Sequence, residues 1–203
     1  AKFAYENFGK AGKIKSDERI ADLGIRRIRF ANNVMLNIKQ TDFQKDRVAI
    51  SMRVDGGSLM ATREDPTRVA LAATLAIGGL EAHSYDDLRS IFAGRTVGAA
   101  FGMSAESFGG STTTTPEDLG LQAKVMASYL QHAGYRADGL AMMRRMFPQQ
   151  YAAMDATPAA VIGRDQDSIL TGNDPRMATP PLEKMMSLDW ASLRPIIADN
   201  LKN

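Results

Sequence analysis

The sequence predicts an α+β domain with a mainly antiparallel sheet covered by helices. Three observations carry that expectation. Apolar residues alternate at period two over 28–38, 48–54 and 97–103; they recur at helical spacing over 69–80, 119–130 and 140–154; and the chain orders these as strands, helices, strands, helices.

The first stretch, 1–19, is Gly- and Lys-rich around Phe8 to Lys13 and weakly patterned, which reads as a linker or N-terminal arm docked on a neighbour. A single α+β domain is expected over 20–203. Ile28 and Phe30, then Val34, Leu36 and Ile38, alternate across Ala31-Asn32-Asn33, where asparagines tolerate the left-handed backbone of a tight hairpin. Val48, Ile50, Met52 and Val54 give a third strand ended by Asp55-Gly56-Gly57, one face of the sheet being apolar.

Asp65 as cap and Pro66 in the first helical position open a first helix that carries Val69, Ala72, Ala73, Ala76 and Leu80, with Gly78-Gly79 weakening its end. Ser84 with Asp87 forms a capping box for a short helix over 85–93, stopped by Gly94. The runs 97–103 and 106–114 pair as a second hairpin. Thr115-Pro116-Glu117-Asp118 then starts a third helix with Leu119, Ala123, Met126 and Leu130 inward, closed by Gly134. Asp138 caps a fourth presenting Leu140, Met143, Phe147 and Met154, kinked or divided at Pro148. Helix resumes over 159–170; Asn173-Asp174-Pro175 and Pro180-Pro181 bound a loop; Ser187 or Asp189 opens a last helix ending near Leu201.

Composition narrows function by exclusion. In 203 residues, 25 Lys and Arg against 23 Asp and Glu leave a formal net charge of +2, too weak a field to drive nucleic-acid binding. Charged residues at 24% and hydrophobic residues at 44% are ordinary for a folded domain. No apolar run approaches the ~18 residues of a spanning helix, so no membrane insertion is expected. The chain has no cysteine, which removes disulfides, thiolate zinc sites and cysteine nucleophiles together. No secretory signal is visible at Ala1-Lys2-Phe3-Ala4-Tyr5, and the chain reads as a segment of something longer.

The remaining candidates favour structural roles. His83 and His132, the only histidines, sit near helix ends and lack a second ligand at helical spacing. The run Ser111 to Thr115 reads as a Thr-rich strand entering a capped helix, because no phosphate-loop pattern accompanies it. Gly56-Gly57 and Gly109-Gly110 read as turn or close-approach glycines. Asp165, Asp167 and Asp174 could be imagined around a divalent cation, but their context lacks the glycine and glutamate of an EF-hand loop, and Arg164 and Arg176 stand ready as partners. Met142, Met143, Met146, Met154, Met185 and Met186 are adaptable packing residues, mostly for the core, with Arg144 and Arg145 on the solvated side of their helix.

Several phrases together resemble a known family. The hairpin Phe30-Ala31-Asn32-Asn33-Val34 is similar to the one that opens domains of the pitrilysin/insulinase family of zinc peptidases. Asp55-Gly56-Gly57-Ser58, a proline-capped helix, Ser84-Tyr85-Asp86-Asp87-Leu88, Phe108-Gly109-Gly110-Ser111 and Thr114-Thr115-Pro116-Glu117-Asp118-Leu119 follow in family order, over about 20–201. The resemblance implies a metallohydrolase-like domain of the mitochondrial processing peptidase type. Active members carry an inverted H-x-x-E-H motif whose histidines bind zinc and whose glutamate activates water. Matching Leu71-Ala72-Ala73-Thr74-Leu75-Ala76-Ile77 to that phrase places Ala73 and Ile77 at the histidines and Ala76 at the general base; no glutamate lies between Glu117 and Glu183 to complete the ligands.

The resemblance therefore implies a non-catalytic domain from a C-terminal half, with no catalytic, metal-binding or cofactor-binding residue of its own and no assignable substrate contacts. Zinc is expected in the catalytic half of the parent protein. The implied partners are that half and a peptide substrate, and the implied location is the periplasm. A scaffold or assembly domain mediating protein–protein association is the alternative, and an unrelated enzyme resting on the Asp165, Asp167 and Asp174 group is a third.

Overall fold

The computed structural model describes residues 2–99 and 101–201. Ala1, Ala100, Lys202 and Asn203, over which the expectations above extend, lie outside the described residues. The architecture is α+β, with strands β1 (Ile14–Ile20), β2 (Ile25–Phe30), β3 (Met35–Lys39), β4 (Val48–Asp55), β5 (Gly102–Met103) and β6 (Ser107–Thr114). Its helices are a 3₁₀ helix over Ala70–Gly78, α1 (Tyr85–Ile91), α2 (Leu119–Gln131), α3 (Ala137–Met154), α4 (Pro158–Leu170), α5 (Leu182–Ser187) and α6 (Trp190–Leu201).

The expected hairpin forms as β2–β3. Asn33 takes φ 66°, its N–H donates to the Phe30 carbonyl, and Phe30 N–H donates to the Val34 carbonyl. Two antiparallel three-stranded sheets are present, not the single sheet the patterning implied: β1-β2-β3, and β4-β6-β5. Strand β1 falls largely in the stretch 1–19 that reads as linker, and Phe3, farther upstream, is buried in the main core. The arm therefore docks on this chain itself.

Strand β4 alternates half-buried Val48, Ile50, Met52 and Val54 with exposed Ala49, Ser51, Arg53 and Asp55, and pairs with β6 from Val48↔Thr114 to Asp55↔Ser107. The second hairpin is shorter than its alternation suggests, because only Gly102 and Met103 pair with β6. At Gly109, with φ 131°, a Cβ would lie 2.1 Å from the Met52 carbonyl oxygen, so close strand approach there needs glycine.

The largest departure is the first helix. Residues 70–78 wind as 3₁₀, tighter than the α-helix their pattern predicts. The cause is packing. A Cβ on Gly139 of α3 would lie 2.2 Å from the Ile77 carbonyl oxygen, and one on Gly78 would lie 3.2 Å from the Trp190 ring. The segment is squeezed between α3 and α6 at backbone contact distance, with Leu71, Ala72 and Leu75 in the core.

The remaining helices keep their places but not all of their start signals: α2 begins at Leu119, after the expected Thr115-Pro116, and α3 has Arg136, not Asp138, at its N-cap. Ser84 and Asp87 make the reciprocal capping box of α1, Thr157 caps α4, and Asp189 accepts the Ala191 N–H. Helix α3 runs through Pro148 unbroken and buries Leu140, Met143 and Phe147. Helix α2 turns a different face inward than expected: Gln122, Val125, Ser128 and Tyr129 are buried, whereas Leu119 and Ala123 are exposed. Helix α5 arises between the proline-bounded loop and the last helix, in a stretch assigned to no element from the sequence. The core gathers Leu75, Val125, Tyr129, Phe108, Met143, Leu193 and Ile197 between the second sheet and the helices.

Candidate peptide groove

A cavity of about 410 Å³ lies where the 3₁₀ helix, α1, α2 and the segment 97–99 meet. Its apolar wall is Ala76, Leu88, Phe92 and Val125, with the rings of Tyr85 and Tyr129 beside them. The Tyr129 hydroxyl donates to the Ala76 carbonyl at 3.1 Å, and burial pushes that phenol above its ordinary range. Arg89 stands exposed in the lining and makes no ion pair among the described residues.

The segment over 96–99 is held from behind by side chains of β6 and α2. Thr96 N–H donates to Asp118 Oδ2 at 2.7 Å, and Thr114 Oγ1 donates to the Thr96 carbonyl at 2.6 Å. Asp118 is fixed in turn by Arg95, Nε to Oδ1 at 2.6 Å, and by its own N–H donating to Thr115 Oγ1. Two residues on, Gly98 N–H donates to Gln122 Oε1 at 2.8 Å while Gln122 Nε2 donates to the Gly98 carbonyl at 2.9 Å. A fully buried amide thus imitates a neighbouring strand.

Anchoring at alternate residues is the habit of an extended edge, in which successive residues turn their N–H and C=O to opposite sides. The backbone groups of Val97 and Ala99 have no hydrogen-bond partner among the described residues. A segment with unpaired backbone groups beside an apolar cavity can take an extended chain by backbone pairing, with an apolar side chain entering the cavity and a carboxylate reaching Arg89.

Of the positions that the resemblance matches to the zinc motif, Ala76 alone lines this cavity. Ala73 is exposed, Ala76 lines the cavity, and Ile77 is half-buried. Zinc does not fit here, for two reasons. Methyl and butyl side chains offer no donor atom. In a 3₁₀ helix, residues four apart diverge by about 120°, against about 40° in an α-helix, so the 73 and 77 positions do not share a chelating face. Among the described residues no group of three His, Cys, Asp or Glu is placed to hold a metal ion.

The other sequence candidates scatter. His83 is buried, not at the surface as its position suggests, and its Nε2 accepts the Ala4 N–H. His132 ends α2 and lies 3.1 Å from Glu81 through Nδ1. Asp165 pairs with Arg164, and Asp174 is clamped by Arg176 and Arg63, so these carboxylates bind arginines. Of the methionines, Met143 is core, while Met142, Met146, Met154, Met185 and Met186 are half-buried. Arg144 is not solvated as expected: it is half-buried and its Nη2 donates to the Leu188 carbonyl. Sequence reading missed Gln122, Asp118 and Arg89. The signal for the first two was the i, i+4, i+7, i+11 series of Asp118, Gln122, Val125 and Tyr129, a helix face in which two polar members disguise the inward stripe.

Among the described residues no helix is long and apolar enough to cross a membrane. No family model and no curated protein matches the sequence. Solved structures do match in fold. The ferredoxin protease FusC, as a point mutant in complex with Arabidopsis ferredoxin, superposes with a TM-score of 0.78 at 14% identity, over 99% of this chain and 22% of that one. The periplasmic protease PqqL from Escherichia coli gives 0.72 at 14% identity, over 98% of this chain and 23% of that one. The first half of PqqL gives 0.70 at 13% identity, over 88% of this chain and 40% of that one. The chain thus spans less than a quarter of the full FusC and PqqL chains, and its fold is that of one domain within these proteases.

Proposed function

We propose that this chain is a non-catalytic domain of a pitrilysin/insulinase-type zinc peptidase, from its C-terminal half, that helps enclose extended peptide for a catalytic half. The observation that carries the reading is the groove itself: the segment 96–99, anchored at Thr96 by Asp118 and at Gly98 by Gln122, beside an apolar cavity with Arg89 in its lining. The loss of ligand chemistry at Ala73, Ala76 and Ile77 supports the non-catalytic part, as does the likeness in fold to proteases several times longer. Zinc and the water-activating glutamate then belong to the partner half, and a periplasmic site of action is supported by the likeness to PqqL.

The test uses the 203-residue chain. After zinc incubation and desalting it is expected to retain no stoichiometric metal and to cleave no peptide. It is expected to bind an unstructured peptide with an apolar side chain next to a carboxylate, with amide shifts at 97–99, and Arg89→Ala should weaken that binding. Tight zinc with chelator-sensitive hydrolysis would overturn the reading, as would peptide-induced shifts confined to other surfaces.

Exposed apolar side chains favour a second reading, a scaffold or assembly domain. Val34, Leu36 and Ile38 on β3 and its turn, and Ile162, Ile169 and Leu170 on α4, are all exposed. Self-association in sedimentation, abolished by Ile162→Ser with Leu170→Ser, would support it; a monomer at high concentration would count against it.

A further inference from the structure

We propose that residues 3–6 form an acid-sensitive latch, held shut by neutral His83 and released when that imidazole takes up a proton. The His83 ring is buried, and its Nε2 accepts the backbone N–H of Ala4 at 2.9 Å. A ring nitrogen that accepts carries no proton, so this bond belongs to the neutral imidazole protonated on Nδ1. In the imidazolium both ring nitrogens are donors. The Ala4 N–H would then face a second N–H at bonding distance, and a charge would sit where burial disfavours it.

The rest of the arm is gathered around that bond. Phe3 is 6% exposed, stacks on His83 at 5.8 Å between ring centres and leans on Phe92 at 5.3 Å. The Tyr5 hydroxyl accepts the Ala82 N–H at 2.8 Å, the Tyr5 ring stacks on His132 at 4.8 Å, and Glu6 pairs with Lys124. Both histidines of the chain therefore touch the same short arm.

The charges around His83 do not restore what protonation removes. On α1, Asp87 is held below its ordinary value by the Ser84 backbone N–H and side chain, with His83 and Arg136 among the charges acting on it, so a carboxylate stands near the imidazole without replacing the bond to Ala4. On the arm stands Tyr5, and beyond it are Glu81 in the turn, His132 at the end of α2 and Arg136 ahead of α3. His132 acts in the opposite sense, because its protonation would complete an ion pair with Glu81 at 3.1 Å. His83 is thus the releasing group and His132 a retaining one. Phe92 also lines the groove, so an open arm uncovers the back of the groove wall, but the latch does not depend on peptide binding.

The experiment follows the protection factor of the Ala4 amide by hydrogen exchange in the full chain from pH 8 to pH 5, with the two imidazoles monitored by NMR. Protection is expected to fall on acidification, by up to about tenfold per pH unit, the limit for one linked proton. His83→Gln, whose amide oxygen can accept the same N–H without titrating, should hold the arm closed at pH 5. His132→Gln should still release. Phe3→Ala should open the arm at pH 8 while amides of α2 and α3 stay protected, which keeps the proposal testable if the glutamine variant does not fold. Ala4 protection that is constant to pH 5, or that is lost in His83→Gln with the same profile, would overturn the latch.

Discussion

The anchoring of the bare edge by Gln122 can be tested quantitatively. Gln122 is fully buried and makes two hydrogen bonds to one residue, at 2.8 and 2.9 Å, both to the Gly98 backbone. Each net bond contributes about 1 kcal/mol, so Gln122→Met, which keeps the volume, should cost about 2 kcal/mol. Gln122→Ala adds a cavity and should cost about 3 kcal/mol. Gln122→Glu keeps the acceptor for the Gly98 N–H but sets a carboxylate oxygen against the Gly98 carbonyl. Its deficit relative to the parent should shrink as pH falls and the acid becomes a donor. Urea denaturation gives the stabilities, and hydrogen exchange at the Gly98 amide reports the local anchor. If Gln122→Met lies within about 0.5 kcal/mol of the parent with Gly98 protection intact, the amide does not hold the edge and the reasoning fails.

Three further outcomes are expected. Gly139→Ala should be severely destabilising in thermal unfolding, since its Cβ would meet the Ile77 carbonyl oxygen at 2.2 Å and neither backbone can retreat cheaply. Asp174 is held far below the carboxylate range by the Arg176 side chain, by the Arg176 backbone N–H and by Arg63; its contribution is therefore present above the unfolded value near ~4 and lost as pH falls through the folded one, so the gap between parent and Asp174→Asn should close in acid. The triple variant Ala73→His, Ala76→Glu, Ile77→His should still fail to retain zinc after desalting, because the 3₁₀ winding splays the restored ligands.

What could be read from the sequence was what local chemistry decides. The Asn32-Asn33 turn, the Ser84–Asp87 box and the alternation in β4 each state their geometry within a few residues, and each forms. What could not be read depends on contacts far along the chain. The pattern over 69–80 is helical, but its winding is set by Gly139 and Trp190, which lie far downstream in the chain. The inward face of α2 is displaced from the one its apolar residues suggest, because the buried Gln122 looks like a surface residue until its partner, the Gly98 backbone, is known. The alternation over 97–103 was legible, but the groove was not, because the groups that hold Thr96 and Gly98, Asp118 and Gln122, lie on another element.

That dependence bears on what such a domain can do. A zinc helix needs an α-helical face with two ligands a turn apart, and so needs room around it. Here the equivalent segment is drawn against α3 and α6 through Gly139 and Gly78, and Tyr129 reaches across to bind the Ala76 carbonyl. These contacts make the segment a rigid wall and exclude the geometry of a metal centre in the same stroke. In the proposed pairing the neighbouring segment offers backbone groups of Val97 and Ala99, which substitution of their side chains leaves in place. A domain stripped of ligands can therefore keep a peptide-shaped groove as long as Gln122, Asp118 and the glycine contacts persist. The glycine contacts that hold the 3₁₀ segment also form one wall of the cavity, so a variant that loosens the wall at Gly78 or Gly139 should deform the cavity along with the segment.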